Sequence, residues 1–97
     1  MATVLVDGEN VRRSLWPNMS RAELVDRSYA WAEREGHEVS VIWEGPGTAD
    51  DEIVRTVAEL DGPVWVVTSD RALRERVAPQ AERLIGGGSF AHELRGS

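Results

Sequence analysis

The sequence contains no cysteine and no lysine, and each absence excludes a kind of chemistry. Without cysteine there are no disulfides, zinc–thiolate sites or thiol nucleophiles. The absence of lysine argues against a phospho-accepting receiver domain, in which a lysine accompanies the acidic pocket. A Walker phosphate loop also requires a lysine, so Gly86–Gly88 is predicted to be a flexible turn. His37 and His92 lack metal-ligand spacing, so any metal ion must be held mainly by carboxylates.

Long hydrophobic runs are also lacking. No segment approaches the roughly 20 residues that span a bilayer, and Ala2–Val6 begins a strand-like stretch without a basic leader or cleavage site. We therefore expect a cytoplasmic protein without membrane contact. Its 97 residues are enough for one domain and too few for two ordinary cores, which predicts a single domain over residues 1–97.

Positive charge is scarce, with eleven basic residues, all arginine, against seventeen acidic ones and a net charge of −6. A protein that holds nucleic acid mainly by neutralising phosphates is usually more basic than this. The charge therefore disfavours tight, non-specific nucleic-acid binding. It does not exclude nucleic acid as a substrate, because cations bound at an acidic site change its effective charge.

The hydrophobic pattern alternates short apolar runs with amphipathic segments. The apolar runs predict strands at Val4–Val6, Val39–Trp43, Val64–Thr68 and Arg83–Ile85. The amphipathic segments predict helices from Ser20 to before Gly36, from Thr48 to Leu60, from Asp70 to near Pro79 and from Ser89 to Leu94, with an irregular connection at Val11–Met19. The first of these helices should bury Leu24, Val25, Tyr29, Trp31 and Ala32. This pattern indicates a three-layer α/β/α fold with a mostly parallel sheet of about four strands, in the order 2-1-3-4.

Acidic residues recur where a strand ends or a helix begins. Asp7 ends the first strand, Asp50 and Asp51 open the second helix, and Asp70 follows the third strand. In the order 2-1-3-4 these positions meet at the topological switch point, where open α/β sheets bind ligands. Carboxylates gathered there predict a site for a hard divalent cation such as Mg²⁺ and chemistry on a phosphate group.

Each acid also has a simpler explanation. Asp51 completes a capping box with Thr48, Asp50 favours the positive end of a helix, and Asp70 could be an N-cap. Asp7 is harder to explain in this way, because a carboxylate at the end of a buried strand needs a partner or a cation. The convergence of all four favours a metal site made by Asp7, Asp50, Asp51 and Asp70.

Further polar residues lie near the same strand ends. Asn10 is either a turn residue or a catalytic companion whose amide holds a water or a substrate oxygen. Arg71, Arg74 and the adjacent pair Arg12 and Arg13 could bind phosphate, or could form ion pairs on solvated helix faces. Trp16, on the irregular connection, is the tryptophan that could stack on a base.

Three segments together resemble the NYN domains of the PIN-like nuclease superfamily: VLVDGEN, GTADDEIVRTVAEL and VWVVTSDRALRERV. The likeness covers nearly the whole chain and is strongest to the bacterial YacP-like group, in a shortened form. It implies a ribonuclease that uses Mg²⁺ or Mn²⁺ and a water nucleophile. Asp7, Asp50 or Asp51, and Asp70 would then be the acidic set, with Asn10 as a polar companion and Glu44 as a further carboxylate or a solvated loop charge.

The chain departs from that pattern in two places. Residues 44–47 replace a longer family segment that contains an additional edge strand, and Glu9 replaces an aromatic or amide residue. The shortening should leave Glu38–Trp43 as an apolar sheet edge, which predicts a homodimer across that strand. It also leaves two alternatives to a ribonuclease: a catalytically silent binding or assembly module, and a phosphohydrolase of small substrates.

Overall fold

The computed structural model describes residues 1–44 and 48–96, and its elements alternate between strand and helix. In chain order they are β1 (Thr3–Asp7), α1 (Gly8–Arg12), α2 (Arg21–Glu35), β2 (Glu38–Ile42), α3 (Ala49–Glu59), β3 (Val64–Val67), α4 (Arg71–Val77), β4 (Arg83–Ile85) and α5 (Gly87–Gly96). The four strands form one sheet in the order β2-β1-β3-β4, with all neighbours parallel. The predicted order and fold class are confirmed, and the sheet is wholly rather than mostly parallel.

Alternation along the strands divides the core into two layers. Val4 and Val6 of β1 face one side and pack with apolar residues of α1, α2 and α5, whereas Leu5 faces the other side and packs with α3 and α4. Asp7 pairs in register with Ile42 of β2, and Val6 pairs with Val67 of β3. The carboxyl ends of the three strands therefore lie along one edge, with the switch point between β1 and β3.

The helix boundaries follow from capping residues visible in the sequence. The Ser20 hydroxyl accepts a hydrogen bond from the Glu23 amide at 3.0 Å, and Gly36 ends α2 in the left-handed conformation with φ of 76°. Thr48 caps α3 in the same way through the Asp51 amide, at 3.2 Å. None of the helices in the described part of the chain is long and apolar enough to cross a bilayer.

Two helix starts differ from the prediction. The connection expected to be irregular over Val11–Met19 begins with helical structure, because α1 starts at Gly8 directly after β1. The glycine run expected to be a turn instead opens α5 at Gly87, whose amide donates to the Ser69 hydroxyl at 2.8 Å. That bond satisfies a helix-start donor which the sequence alone leaves unpartnered.

The buried face of α2 is also rotated from the predicted one. Tyr29 is 56% exposed, and Ser28 is fully buried in its place. Leu24, Ser28 and Trp31 follow the helical spacing of four and three residues, so a small polar residue occupies the core stripe between two large apolar ones.

The start of α1 requires glycine for a steric reason. A Cβ built on Gly8 would lie 2.5 and 2.6 Å from two atoms of the Trp43 ring. We expect Gly8→Ala to lower the free energy of unfolding by about 2 kcal/mol, because the ring must move out of a packed position. Urea denaturation measures this, with Gly88→Ala as the control, since no atom lies within 4 Å of a Cβ added there. Equal stability of Gly8→Ala and the wild type would contradict it.

Candidate functional site

An open cleft of about 620 Å³ lies at the carboxyl ends of β1 and β3. Its lining residues are Asp7, Glu9, Asn10, Arg13, Ser14, Arg21, Glu44, Asp50 and Asp70. Of the acidic and amide residues predicted from the sequence, the structure brings Asp7, Asn10, Asp50 and Asp70 to this cleft. Glu44, which the resemblance gave as a further carboxylate or a solvated loop charge, also lines it.

Asp7 is the most deeply placed of these acids. It is the last residue of β1 and only 6% exposed. The Thr68 hydroxyl donates to its Oδ2 atom at 2.8 Å. Burial raises the pKa of Asp7, the Thr68 hydrogen bond opposes this rise, and the charges of Asp50, Asp70 and Glu44 add to it. The fold therefore holds a carboxylate where its charge is costly without a cation.

Asp70 is held beside Asp7 through the same threonine. Its amide donates to the Thr68 hydroxyl oxygen at 3.1 Å, and its Oδ1 atom accepts from the Leu73 amide at 3.1 Å and so caps α4. Asp70 is therefore both the N-cap of α4 and part of the cleft lining. Within residues 1–44 and 48–96, neither Oδ1 of Asp7 nor Oδ2 of Asp70 makes a hydrogen bond, which leaves an oxygen of each carboxylate available to a ligand.

Asp50 and Asp51, which the sequence left as alternatives, have different surroundings. Asp50 lines the cleft, and its pKa is raised by burial and by the charge of Asp70. Asp51 forms an ion pair with Arg76 at 3.1 Å outside the cleft lining, and this partner lowers its pKa. Successive residues of a helix point about 100° apart, so only one of the two adjacent side chains reaches the cleft.

Asn10 is fixed by a chain of two hydrogen bonds. Its Oδ1 atom accepts from the Ser69 amide at 2.9 Å, and the Ser69 hydroxyl accepts from the Gly87 amide at 2.8 Å. A backbone amide can only donate, so the oxygen of the Asn10 side chain must face Ser69. The side-chain NH₂ group is then the part of Asn10 that remains to donate into the cleft.

Three of the four arginines predicted to bind phosphate do not line this cleft. Arg12 pairs with Glu9 at 3.1 Å and donates to the Met19 carbonyl at 3.3 Å. Arg71 and Arg74 border a separate surface depression, and Arg74 donates to the Thr68 carbonyl at 3.0 Å.

The arginines that do line the cleft are Arg13 and Arg21. Sequence reasoning considered Arg13 only beside Arg12, and it did not consider Arg21 or Ser14 as site residues. Arg21 could have been found by the argument that placed Asp50, because the first turn of a helix that follows a parallel strand lies near the carboxyl edge of the sheet.

The donor atoms of the cleft fit a hard divalent cation in type. They are carboxylate and amide oxygens, and Mg²⁺ is commonly bound through one or two carboxylates with water in the remaining positions. In the described residues, no three acidic or histidine side chains stand close enough together to hold an ion by themselves. The arrangement thus suits an ion held by two carboxylates and completed by water or substrate.

Together, the parallel sheet and the acidic cleft at its switch point define a three-layer α/β protein with a candidate ligand site at the carboxyl ends of its strands. Among solved structures, the chain is similar to the crystal structure of a single-substitution mutant of Rae1 (YacP) from Bacillus subtilis, with a TM-score of 0.84 and 20% sequence identity. The match covers 99% of this chain and 76% of that chain. It confirms the shortened YacP-like NYN fold that the sequence motifs predicted. No family model and no curated protein matches the sequence.

Proposed function

We propose that the protein is a metal-dependent ribonuclease that hydrolyses RNA phosphodiester bonds in the acidic cleft. The observation that carries this proposal is the burial of Asp7 beside Asp50 and Asp70 at the switch point of a YacP-like fold. A buried carboxylate with acidic neighbours is costly in the folded protein, and such arrangements are typical of functional sites.

Asp7 and Asp70 would hold Mg²⁺ or Mn²⁺ through their available oxygens, and Asp50 would orient a water molecule. The ion, when bound, supplies positive charge at the phosphate and makes a water molecule a stronger nucleophile at neutral pH. Thr68 keeps Asp7 and Asp70 in a fixed relation, since its hydroxyl donates to the first and accepts from the amide of the second.

Asn10 would act on the substrate directly. Its NH₂ group is directed away from Ser69 by the bond to its Oδ1 atom, and it can donate to a non-bridging phosphate oxygen. The group is held in place before substrate arrives, because Ser69 is itself fixed by Gly87. A donor held in this way needs little reorganisation when negative charge develops on the phosphate.

A second candidate is a catalytically silent binding module on the same fold. The observations that favour it are the net charge of −6 and the lack of a preformed three-ligand group among the described residues. The predicted homodimer across β2, the cytoplasmic location and the single domain over residues 1–97 stay predictions.

Cleavage of end-labelled RNA with Mg²⁺, Mn²⁺ or EDTA tests the proposal, and the adjacent pair Asp50 and Asp51 provides matched variants. We expect Asp50→Asn to lower metal-dependent cleavage roughly tenfold, as for residues that complete or orient a metal shell. Asp51→Asn should cleave like the wild type, because that carboxylate faces Arg76. Both variants remove one negative charge from the same helix turn, so only position distinguishes them.

The alternatives predict different results in this assay. Absence of cleavage with every metal would favour the binding module, and hydrolysis of a phosphomonoester but not of RNA would favour a small-substrate phosphohydrolase. Equal losses in the two variants would mean that the general charge of α3, rather than the cleft position of Asp50, matters.

A further inference from the structure

Three arginines converge on one carboxylate at the side of the acidic cleft. Glu9 of α1 contacts the Nε atoms of Arg12 and Arg13, each at 3.1 Å, and the Nη2 atom of Arg21 at 2.8 Å. Partial burial acts to raise the pKa of Glu9, but the hydrogen bonds from Arg12 and Arg21 and the charges of Arg12 and Arg13 outweigh it and lower that pKa. Three guanidinium groups against one carboxylate leave a local excess of positive charge.

Two of these arginines are available to a ligand. Arg12 is mostly covered and also bonded to the Met19 carbonyl, whereas the side chains of Arg13 and Arg21 are 64% and 61% exposed. Glu9 holds Arg13 through Nε, so both terminal NH₂ groups of Arg13 can turn to a phosphate. The guanidinium of Arg21 also lies 5.0 Å from the centre of the Trp43 ring and makes a cation–π contact with it. We call Arg13 and Arg21 the arginine wall.

The arginine wall lines the same cleft as the acids. A phosphodiester that reacts at Asp7, Asp50 and Asp70 therefore has a second, positive contact region within the same opening. A strand carries a further phosphate beside each reacting one, so a strand can use both regions together. A small phosphomonoester has only one phosphate to place.

Trp16 presents an exposed aromatic ring on the segment that follows Arg13. It is 87% exposed, whereas the other three tryptophans are buried or half-buried. It lies two residues after Ser14, which lines the cleft. Its segment is anchored on both sides, since the Met19 amide donates to the Arg12 carbonyl at 3.1 Å and Arg95 donates to the Pro17 carbonyl. An exposed tryptophan held on an anchored segment is suited to stacking on an unpaired base.

We propose that Arg13, Arg21 and Trp16 form a binding path for single-stranded RNA, with Glu9 as the positioning residue that holds the two arginines. The wall binds the phosphate next to the one that reacts, and Trp16 stacks on a neighbouring base. This inference rests on the proposed function for the identity of the strand as RNA. The path offers a strand two exposed arginines in a cleft whose other charged lining residues are acidic, so the positive contacts lie on one side of the site.

Fluorescence anisotropy with a short fluorescein-labelled single-stranded RNA tests the path. All variants carry Asp70→Asn and are measured in Mg²⁺ at several salt concentrations, so that cleavage cannot alter the probe. We expect Arg13→Ala and Arg21→Ala each to weaken binding about fivefold and to reduce the slope of log K against log salt by about 0.7. Trp16→Ala should weaken binding roughly tenfold without changing the slope, and Trp16→Phe should restore most of the affinity.

Arg34→Ala and Arg55→Ala are the matched controls, since they remove the same charge from exposed arginines outside the cleft lining. Affinities and slopes for the wall variants that equal those of the controls would overturn the proposal, as would failure of the parent protein to bind the probe.

Failure of the ribonuclease proposal can be distinguished from failure of the binding path. If wild type does not cleave but binding depends on the wall, the ribonuclease proposal fails and the path stands. If cleavage needs the acids but not the wall, the path alone fails.

Discussion

Replacement of Asp7 by asparagine is expected to lower metal-dependent RNA cleavage by roughly a thousandfold. The substitution keeps the shape of the side chain, and the new amide oxygen can still accept the hydrogen bond from Thr68. What is lost is the negative charge that would hold the cation. Initial rates of cleavage of end-labelled RNA in Mg²⁺ and in Mn²⁺ measure the effect.

The same variant is expected to be more stable than wild type when no metal is present. In EDTA at neutral pH, Asp7→Asn should raise the free energy of unfolding by about 1 kcal/mol, because it removes a buried charge that repels Asp50 and Asp70. Mg²⁺ should then raise the melting temperature of wild type and leave that of the variant nearly unchanged, since a ligand stabilises only the state that binds it.

The pH dependence of stability tests separately whether the charge of Asp7 destabilises the folded protein. The pKa of Asp7 in the folded protein lies above its ordinary value of 3.8, so the folded state binds more protons than the unfolded chain in the pH range just above 3.8. The contribution of Asp7 to the free energy of unfolding in EDTA therefore falls as pH rises through that range. Asp7→Asn lacks this contribution, whereas the raised pKa of Asp50 and the lowered pKa values of Glu9 and Asp51 act alike in both proteins. The stability of the variant relative to wild type should therefore increase as pH rises.

Asp61→Asn is the control, because Asp61 is exposed after α3 and does not line the cleft. It should change neither cleavage nor the metal-dependent melting temperature. Full cleavage by Asp7→Asn would rule out Asp7 as the residue that holds the cation. A loss of cleavage accompanied by a loss of stability in EDTA would instead indicate that Asp7 serves the fold through its bond to Thr68.

The sheet order and the position of the acids could be predicted from the sequence because both depend on local signals. Short apolar runs mark the strands, Ser20 and Thr48 mark helix starts, and right-handed crossovers then leave few topologies. Once the order is known, any residue that directly follows a strand must lie at the carboxyl edge. Asp7 and Asp70 could be placed in this way without knowledge of any contact.

The direction of individual side chains could not be predicted in the same way. Asp50 and Asp51 are adjacent, and their difference depends on where Arg76 of α4 lies. Arg71 follows Asp70 directly but borders another depression, whereas Arg21 reaches the cleft from eleven residues beyond Asn10 in the chain. Which side chains meet across different elements depends on tertiary packing, and this cannot be predicted from the local sequence pattern.

The helical start at Gly87 also depends on tertiary packing, because its amide bonds to Ser69. A Cβ built on Gly87 would lie 2.5 Å from Oδ1 of Asn10 and 2.8 Å from the hydroxyl oxygen of Ser14. We expect Gly87→Ala to displace the Asn10 side chain from the Ser69 amide and to lower RNA cleavage roughly hundredfold, as small misplacements of positioning groups do. Cleavage rates and urea denaturation of the purified variant measure both consequences.

Stability should fall by about 1 kcal/mol in Gly87→Ala, because the half-buried side chains of Asn10 and Ser14 must move to make room for the Cβ. Gly88→Ala is the matched control: it makes the same substitution one residue later, where a Cβ meets nothing within 4 Å, and should cleave like wild type.

A double-mutant cycle with Asn10→Ala then tests whether Gly87→Ala lowers cleavage by displacing Asn10. If Gly87 acts through Asn10, adding Gly87→Ala to Asn10→Ala should cause little further loss, because two changes that disable one group are not additive. Full additivity would mean that Gly87 serves the cleft by another route, of which displacement of Ser14 is the first to examine.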